Sequence, residues 1–202
     1  GLGGGTGSGA GPYIAELAKE MGSIVISVCT LPFDAEGKQK ELIAYRSLHQ
    51  LAKFSDAVLP MPNNTITSIF PNINMLEGFR LMDEMIGKKM RAITDLVSGC
   101  GLINLDLADI KNVLDSTVSD LDLEQKTGFI SVGEIELSEE YSDSMIPTKM
   151  LSKFAKEKIQ KETLKILSNP MTKTNIKKID RCIIAIKGSQ RMTLVEINEI
   201  IN

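Results

Sequence analysis

The run "SIVISVCT" at residues 23–30 limits the possible folds more than any other stretch. It is short, apolar and rich in β-branched residues, which suits a strand covered on both faces better than a buried helix. Helical patterns flank it. "GPYIAELAKEMG" (11–22) places Pro12 at a first helical position and Gly22 at a C-terminal stop. "QKELIAYRSLHQLAKF" (39–54) follows a loop, "PFDAEGK", and leads to a second short strand, "DAVLPM" (56–61). Helix alternating with strand predicts an α/β fold with a parallel sheet and helices on its faces.

The pattern then changes. "MLEGFRLMDEMIGKKMRAITDLV" (75–97) has apolar residues at 75, 79, 82, 86, 90, 93 and 97. This predicts one helix with a continuous apolar stripe, long enough to span two layers. A glycine loop and short helix follow in "SGCGLINLDLADIKNVLDS". The alternation in "TGFISVGEIEL" (127–137) predicts a strand, and "KMLSKFAKEKIQKETLKILSNP" a helix ended by Asn169-Pro170. "DRCIIAIKG" predicts another strand and "TLVEINEII" a last helix. The expected organisation is an α/β part at 1–74, a connecting helix at 75–98 and a smaller α/β part at 99–202. Both ends read as cut, because no strand feeds the opening glycines and the chain stops inside a helix.

Composition narrows the function. The chain has 202 residues, 43% of them apolar, enough for a core, and no apolar run able to cross a membrane. Its net charge of −3 argues against a nucleic-acid footprint, and the basic cluster at 153–165 alternates in sign like a solvated helix face. Cys29, Cys100 and Cys182 are odd in number and lack a CxxC pair, so they suit buried thiols in a reducing cytoplasm, with no metal site. The single histidine, His49, sits at helical spacing as a surface or core residue, and no G-x-S-x-G accompanies it.

The opening "GLGGGTGSGAGP" is the strongest pointer to chemistry. Glycines let backbone N–H groups converge on one point, and a helix N-terminus behind them adds orphan donors and a positive dipole end. Together these suit a phosphate. No lysine completes a Walker A motif, and the spacing fits a dinucleotide fingerprint poorly. A flexible linker is the bland alternative, against which stands the helix that begins at once.

Several ordered motifs resolve this. "GGGTGSG" resembles the phosphate-binding signature of the tubulin/FtsZ superfamily. "TLPFDAEGK" (30–38) is similar to its T-x-P-F-x-x-E-G-[KR], "MPNN" (61–64) to I-P-N-[DN], and "INLDLAD" (103–109) to N-x-D-x-A-D. "SNPM" and "TLVEINEI" resemble S-N-P-L and T-L-x-E-x-x-E. The serine in "GTGSG" and the "AYRSL" stretch leave room for a CetZ-like relative. The resemblance implies part of a Rossmann-like GTPase domain, a long central helix and a smaller C-terminal α/β domain. It also implies GTP or GDP with Mg2+, head-to-tail polymerisation with copies of itself, and division-ring and membrane-tether partners. The expected place is the cytoplasm, at the division site. An upstream glycine loop that holds phosphates in the family has no counterpart here, so the chain alone is expected to be inactive.

By the same resemblance, Gly3, Gly4, Gly5, Thr6, Gly7 and Ser8 hold phosphates and Glu36 bonds the ribose hydroxyls. Lys40 stands where the family has Arg, keeping the charge and losing the bidentate fork. Phe79 lies against the guanine ring, and Asp83-Glu84 replaces an Asn-Asp pair whose aspartate bonds the base. Asn104, Asp106 and Asp109 lie where a loop becomes a helix. By periodicity alone they read as an N-cap and first-turn acids. The resemblance instead implies a catalytic set that orients water on the γ-phosphate of a neighbouring subunit.

Overall fold

The computed structural model describes residues 1–98, 110, 131–133, 135, 148–168, 182–188 and 194–201. The order is α1 (Gly5–Glu20), β1 (Ile26–Leu31), a 3-10 turn (Asp34–Glu36), α2 (Lys38–Phe54), β2 (Ala57–Pro62), α3 (Asn64–Ile69) and α4 (Met75–Val97). Beyond these, α5 (Thr148–Leu167) packs with α6 (Leu194–Ile201).

β1 and β2 pair in parallel, with Ile26 opposite Ala57 and Leu31 opposite Pro62. Alternate β1 residues enter different cores, as a strand covered on both faces requires. Cys29 and Leu31 join Ala15 of α1 and Ala44, Leu48 and Leu51 of α2. Val28 packs from the other side against the cluster of Met61, Ile66 and Met82, from β2, α3 and α4. The result is an α/β sandwich, as expected. Asp56 ties its amino end together: Oδ2 accepts from the Val25 N–H at 2.8 Å while Oδ1 pairs with Lys19 at the end of α1.

Three expectations need correction. α1 starts at Gly5, six residues before the predicted position, so Pro12 lies inside the helix rather than at its start. Glycine has poor helix propensity, and the early turns are held by contacts with α2 that propensity cannot reveal. The predicted stop holds: Gly22, at φ +79°, donates to the Lys19 carbonyl and Ser23 donates to Ala18, a Schellman closure.

The stripe on α4 is rotated from the predicted one. Met82 is buried, but Met75, Phe79, Met90 and Val97 are exposed, and Gly78 and Lys89 face inward instead. Gly78 sets this rotation. A Cβ there would come within 3.1 Å of Phe33 Cζ, so the missing side chain lets α4 close on the turn after β1. The helix bounds agree with the prediction, and Asn74 caps the start by accepting from the Glu77 N–H at 2.9 Å.

Finally, residues 182–188 of the later predicted strand are not in a strand, whereas most of the strand predicted at 127–137 lies outside the described residues. Alternation supplies a face, but a strand also needs a ladder partner, and none is found among the described residues. Of the thiols, Cys29 is buried and desolvation pushes it up to about 12, which keeps it protonated, whereas Cys182 is exposed rather than buried. Cys100 lies outside the described residues. His49 is on the surface. No helix among the described residues is long and apolar enough to cross a membrane.

Lys89 is 8% exposed, and no ion pair to it occurs among the described residues. Burial lowers its pKa below the ordinary 10.5. The unfolded chain therefore binds the proton more tightly, and stability rises with pH between the lowered folded value and 10.5. Lys89→Met is expected to raise the urea midpoint at neutral pH. The advantage should shrink as pH approaches 10.5, and an advantage independent of pH would show that the cationic head is not desolvated.

Candidate nucleotide-binding site

Of the predicted residues, the glycine turn, Glu36, Lys40 and Phe79 gather at the carboxyl edge of the two strands, where ligands of open parallel sheets bind. Alternate carbonyls of β1 face opposite neighbours. That of Leu31 accepts from Asn63 after β2, and that of Thr30 accepts from the Leu2 N–H at 3.0 Å on the other side. Leu2 is thus fixed beside the strand end, and the chain turns at once into α1.

The turn explains two of the glycines internally. Gly3 has φ +105°, and a Cβ there would press on the Lys40 carbonyl oxygen at 3.1 Å. A Cβ on Gly7 would lie 1.8 Å from the Gly1 carbonyl oxygen. Gly4 and Gly5 have no such reason. Neither has a positive φ, and a Cβ on either would meet nothing within 4 Å. The fold does not require glycine at either, and both leave open space for a group approaching from outside.

That outside face carries the amides. Gly4 is the N-cap of α1, no side chain caps the helix, and its first turn holds no acid. The first bond back to the cap runs from the Ser8 N–H to the Gly4 carbonyl, so the N–H groups of Gly5, Thr6 and Gly7 precede the helical ladder. Ser8 Oγ accepts from the Gly3 N–H at 2.8 Å, which braces the turn and leaves the hydroxyl hydrogen available. This is a bed of donors at the positive end of a helix, and its chemistry fits a phosphate.

The neighbouring residues form a continuous surface. Glu36 Oε1 accepts from the Phe33 N–H at 2.9 Å and Oε2 from Lys40 Nζ at 3.1 Å. Lys40 in turn abuts Gly3. Phe33 is buried and meets Phe79 edge to face, with ring centroids 5.2 Å apart and planes at 75°. Phe79 stays 38% exposed, a flat apolar surface held in place by a second ring. Asp83 and Glu84 are on α4, and the helix repeat puts Asp83 on the same face as Phe79.

The stretch "MPNN" carries the motif resemblance but gives its residues no individual role. Asn63 follows β2 directly and is buried, yet its side-chain Oδ1 has no partner, nor has Thr65 Oγ1. An unpaired acceptor at the carboxyl edge is costly unless a ligand or water meets it. The available signal is a polar pair placed immediately after a buried strand. Asn104, Asp106 and Asp109 lie outside the described residues. No cluster of three or more metal-ligating side chains occurs among the described residues.

Two substitutions separate fold from ligand. Gly7→Ala is expected to cost about 1–3 kcal/mol through its clash with Gly1. Gly5→Ala should leave thermal stability unchanged or raise it by up to about 1 kcal/mol. Thermal unfolding checks both, and equal losses would mean that the loop glycines serve only the fold.

Residues 1–71 match the model of the Tubulin/FtsZ family, GTPase domain. Over 201 residues the chain is 30% identical to Cell division protein FtsZ of Methanothermobacter thermautotrophicus, covering 100% of itself and 46% of that protein. It is 43% identical to Cell division protein FtsZ 1 of Pyrococcus abyssi over 114 residues, 56% of this chain and 31% of the relative. Among solved structures, an empty FtsZ dimer from M. jannaschii superposes with a TM-score of 0.71 at 27% identity, covering 99% of this chain and 51% of that one. The chain therefore spans about half the length of the relatives it matches. Its order of motifs, its sandwich of helices on a parallel sheet and its agreement with these proteins lead to one conclusion: residues 1–71 belong to the GTPase domain of the tubulin/FtsZ family, and the chain as a whole is similar to FtsZ proteins.

Proposed function

We propose that this chain is part of a guanine-nucleotide-binding subunit that polymerises head to tail and hydrolyses GTP between subunits, in the service of cell division. The observation that carries the reading is the uncapped N-terminus of α1, with Gly4 and Gly5 open to an approaching group. The relatives' names and the dimeric state of the M. jannaschii structure support it. The proposed organisation is the GTPase part at 1–74, the connecting helix at 75–98 and the activation loop with the C-terminal part at 99–202. The proposed setting is the cytoplasm at the division site, with ring and tether proteins as further partners.

Each residue has a task. The N–H groups of Gly3, Gly4, Gly5, Thr6 and Gly7 and the Thr6 and Ser8 hydroxyls hold the phosphates and stabilise charge as it develops. Glu36 takes the ribose hydroxyls on lone pairs left over from Phe33 and Lys40. Phe79 stacks on the base, and Asp83 beside it, or Glu84, accepts from the guanine N–H groups. A Mg2+ ion bound with the phosphates would neutralise part of their charge. Asp106 and Asp109, with Asn104 steadying the loop, orient the attacking water from the neighbouring subunit. Phosphoryl transfer asks a protein for this positioning and little covalent chemistry.

A second reading is a regulatory or cell-shape homologue, CetZ-like, that binds nucleotide without turning it over. The departures from the family pattern at Lys40 and at Asp83-Glu84 motivate it. Turnover separates the two. In a full-length polypeptide carrying this chain, GTP hydrolysis per molecule should rise with protein concentration. A rate independent of concentration would contradict a site completed by the neighbour. Asp109→Ala should retain GTP affinity within about twofold and lose turnover by about 100-fold or more, the scale of removing a positioned acid-base group. Near-normal turnover would remove Asp109 from the catalytic set.

A further inference from the structure

Pro12 sits inside α1, where it has no N–H to give the carbonyl four residues back. That carbonyl belongs to Ser8, in the glycine turn. Its missing donor comes from another helix: Ser47 Oγ of α2 donates to the Ser8 carbonyl at 3.0 Å. Ser47 is only 2% exposed, and Pro12 is buried, so water has little access to replace the bond. The side chain of the same Ser8 accepts the N–H of Gly3, the residue at φ +105° that abuts Lys40. Ser8 is therefore held from both sides, its backbone by α2 and its hydroxyl by the loop.

We infer that Ser47 is a positioning residue for the amide cradle: by replacing the hydrogen bond that Pro12 removes, it fixes the first two turns of α1 in the pitch that presents the N–H groups of Gly5, Thr6 and Gly7 to a phosphate. The inference rests on the phosphate reading given above. It extends that reading to a residue of a different helix that touches no ligand. Proline in a helix interior ordinarily kinks it, and a kink here would splay the donors. An oxygen-bearing side chain at position 47 restores the lost constraint. A methyl group there would leave the half-buried Ser8 carbonyl without this partner.

The test uses a full-length polypeptide carrying this chain and four variants: Ser47→Ala, Pro12→Ala, the double variant, and Ser55→Ala as a control. Ser55 is likewise buried and bonded, to Ser27 Oγ at 2.7 Å, away from the turn. Pyrophosphate is titrated while the amide resonances of Gly4 to Ser8 are followed by NMR, and urea unfolding gives stability. Ser47→Ala is expected to weaken pyrophosphate binding about five- to tenfold and raise the unfolding constant by a similar factor, the scale of one buried hydrogen bond. Ser55→Ala should lose comparable stability with pyrophosphate affinity within about twofold of the parent. Pro12→Ala returns an N–H to the Ser8 carbonyl, so in that background Ser47→Ala should be silent in both measurements. The inference is overturned if Ser47→Ala and Ser55→Ala are alike in pyrophosphate affinity, or if Ser47→Ala costs as much in the Pro12→Ala background as in the parent. Absence of pyrophosphate-dependent shifts in the parent chain would overturn the phosphate reading and the positioning role with it. A coupling between positions 12 and 47 that survived in stability alone would then mark the bond as structural.

Discussion

The parallel pairing of β1 with β2 is the constraint from which the rest follows. Parallel strands end at the same edge, so the segments that leave them start side by side. The 3-10 turn with Phe33 and Glu36 leaves β1, and Asn63 and α3 leave β2. Leu2, bonded to Thr30 across the far side of β1, brings the glycine turn to the same edge. α4 reaches it through Gly78, whose lack of a side chain admits Phe33. Donors, acid, aromatic surface and unpaired acceptor thus meet without any one element being long or unusual.

The edge is electrically prepared in a way that the fold alone does not need. A helix ordinarily gains about 1 kcal/mol from a Ser, Thr, Asp or Asn at its N-cap. α1 uses Gly4 there, which gives up only a few tenths of a kcal/mol of that, and places no acid in its first turn. Meanwhile α4, which carries no donor bed, is capped by Asn74 with Glu77 in its first turn. α2 and α3 likewise begin without a side-chain cap, and α1 is the one of the three that a run of glycines leads into, at the carboxyl edge of an open sheet.

Much of this arrangement was legible before any coordinates. β1, α2, β2 and α4 fall within a few residues of their predicted ends because their periodicity and their stop signals agree. The start of α1 was not legible, since its first turns are written in glycine and serine and are held by α2, through Ser47 among others. The rotation of α4 was hidden for a similar reason: hydrophobicity marked Met75 and Met90, while Gly78 decided which face could approach the sheet. Residues 182–188 show the reverse error, a strand-like pattern without a ladder among the described residues. Of the candidate site, the glycines, Glu36, Lys40 and Phe79 were named through motif resemblance, and the structure shows the contacts that link them. Asn63 escaped assignment because a buried unpaired acceptor is a property of surroundings, not of residue type.

The central claim is that the bare N-terminus of α1 receives the nucleotide's phosphates. A structure of the full-length polypeptide with bound GDP tests it most directly, through the distances from the amide nitrogens of Gly5, Thr6 and Gly7 to the phosphate oxygens. The account predicts at least two of these at about 3 Å, the ordinary length of an N–H···O bond, with the base beside Phe79. Phosphates held elsewhere, with those three amides facing only water, would contradict it.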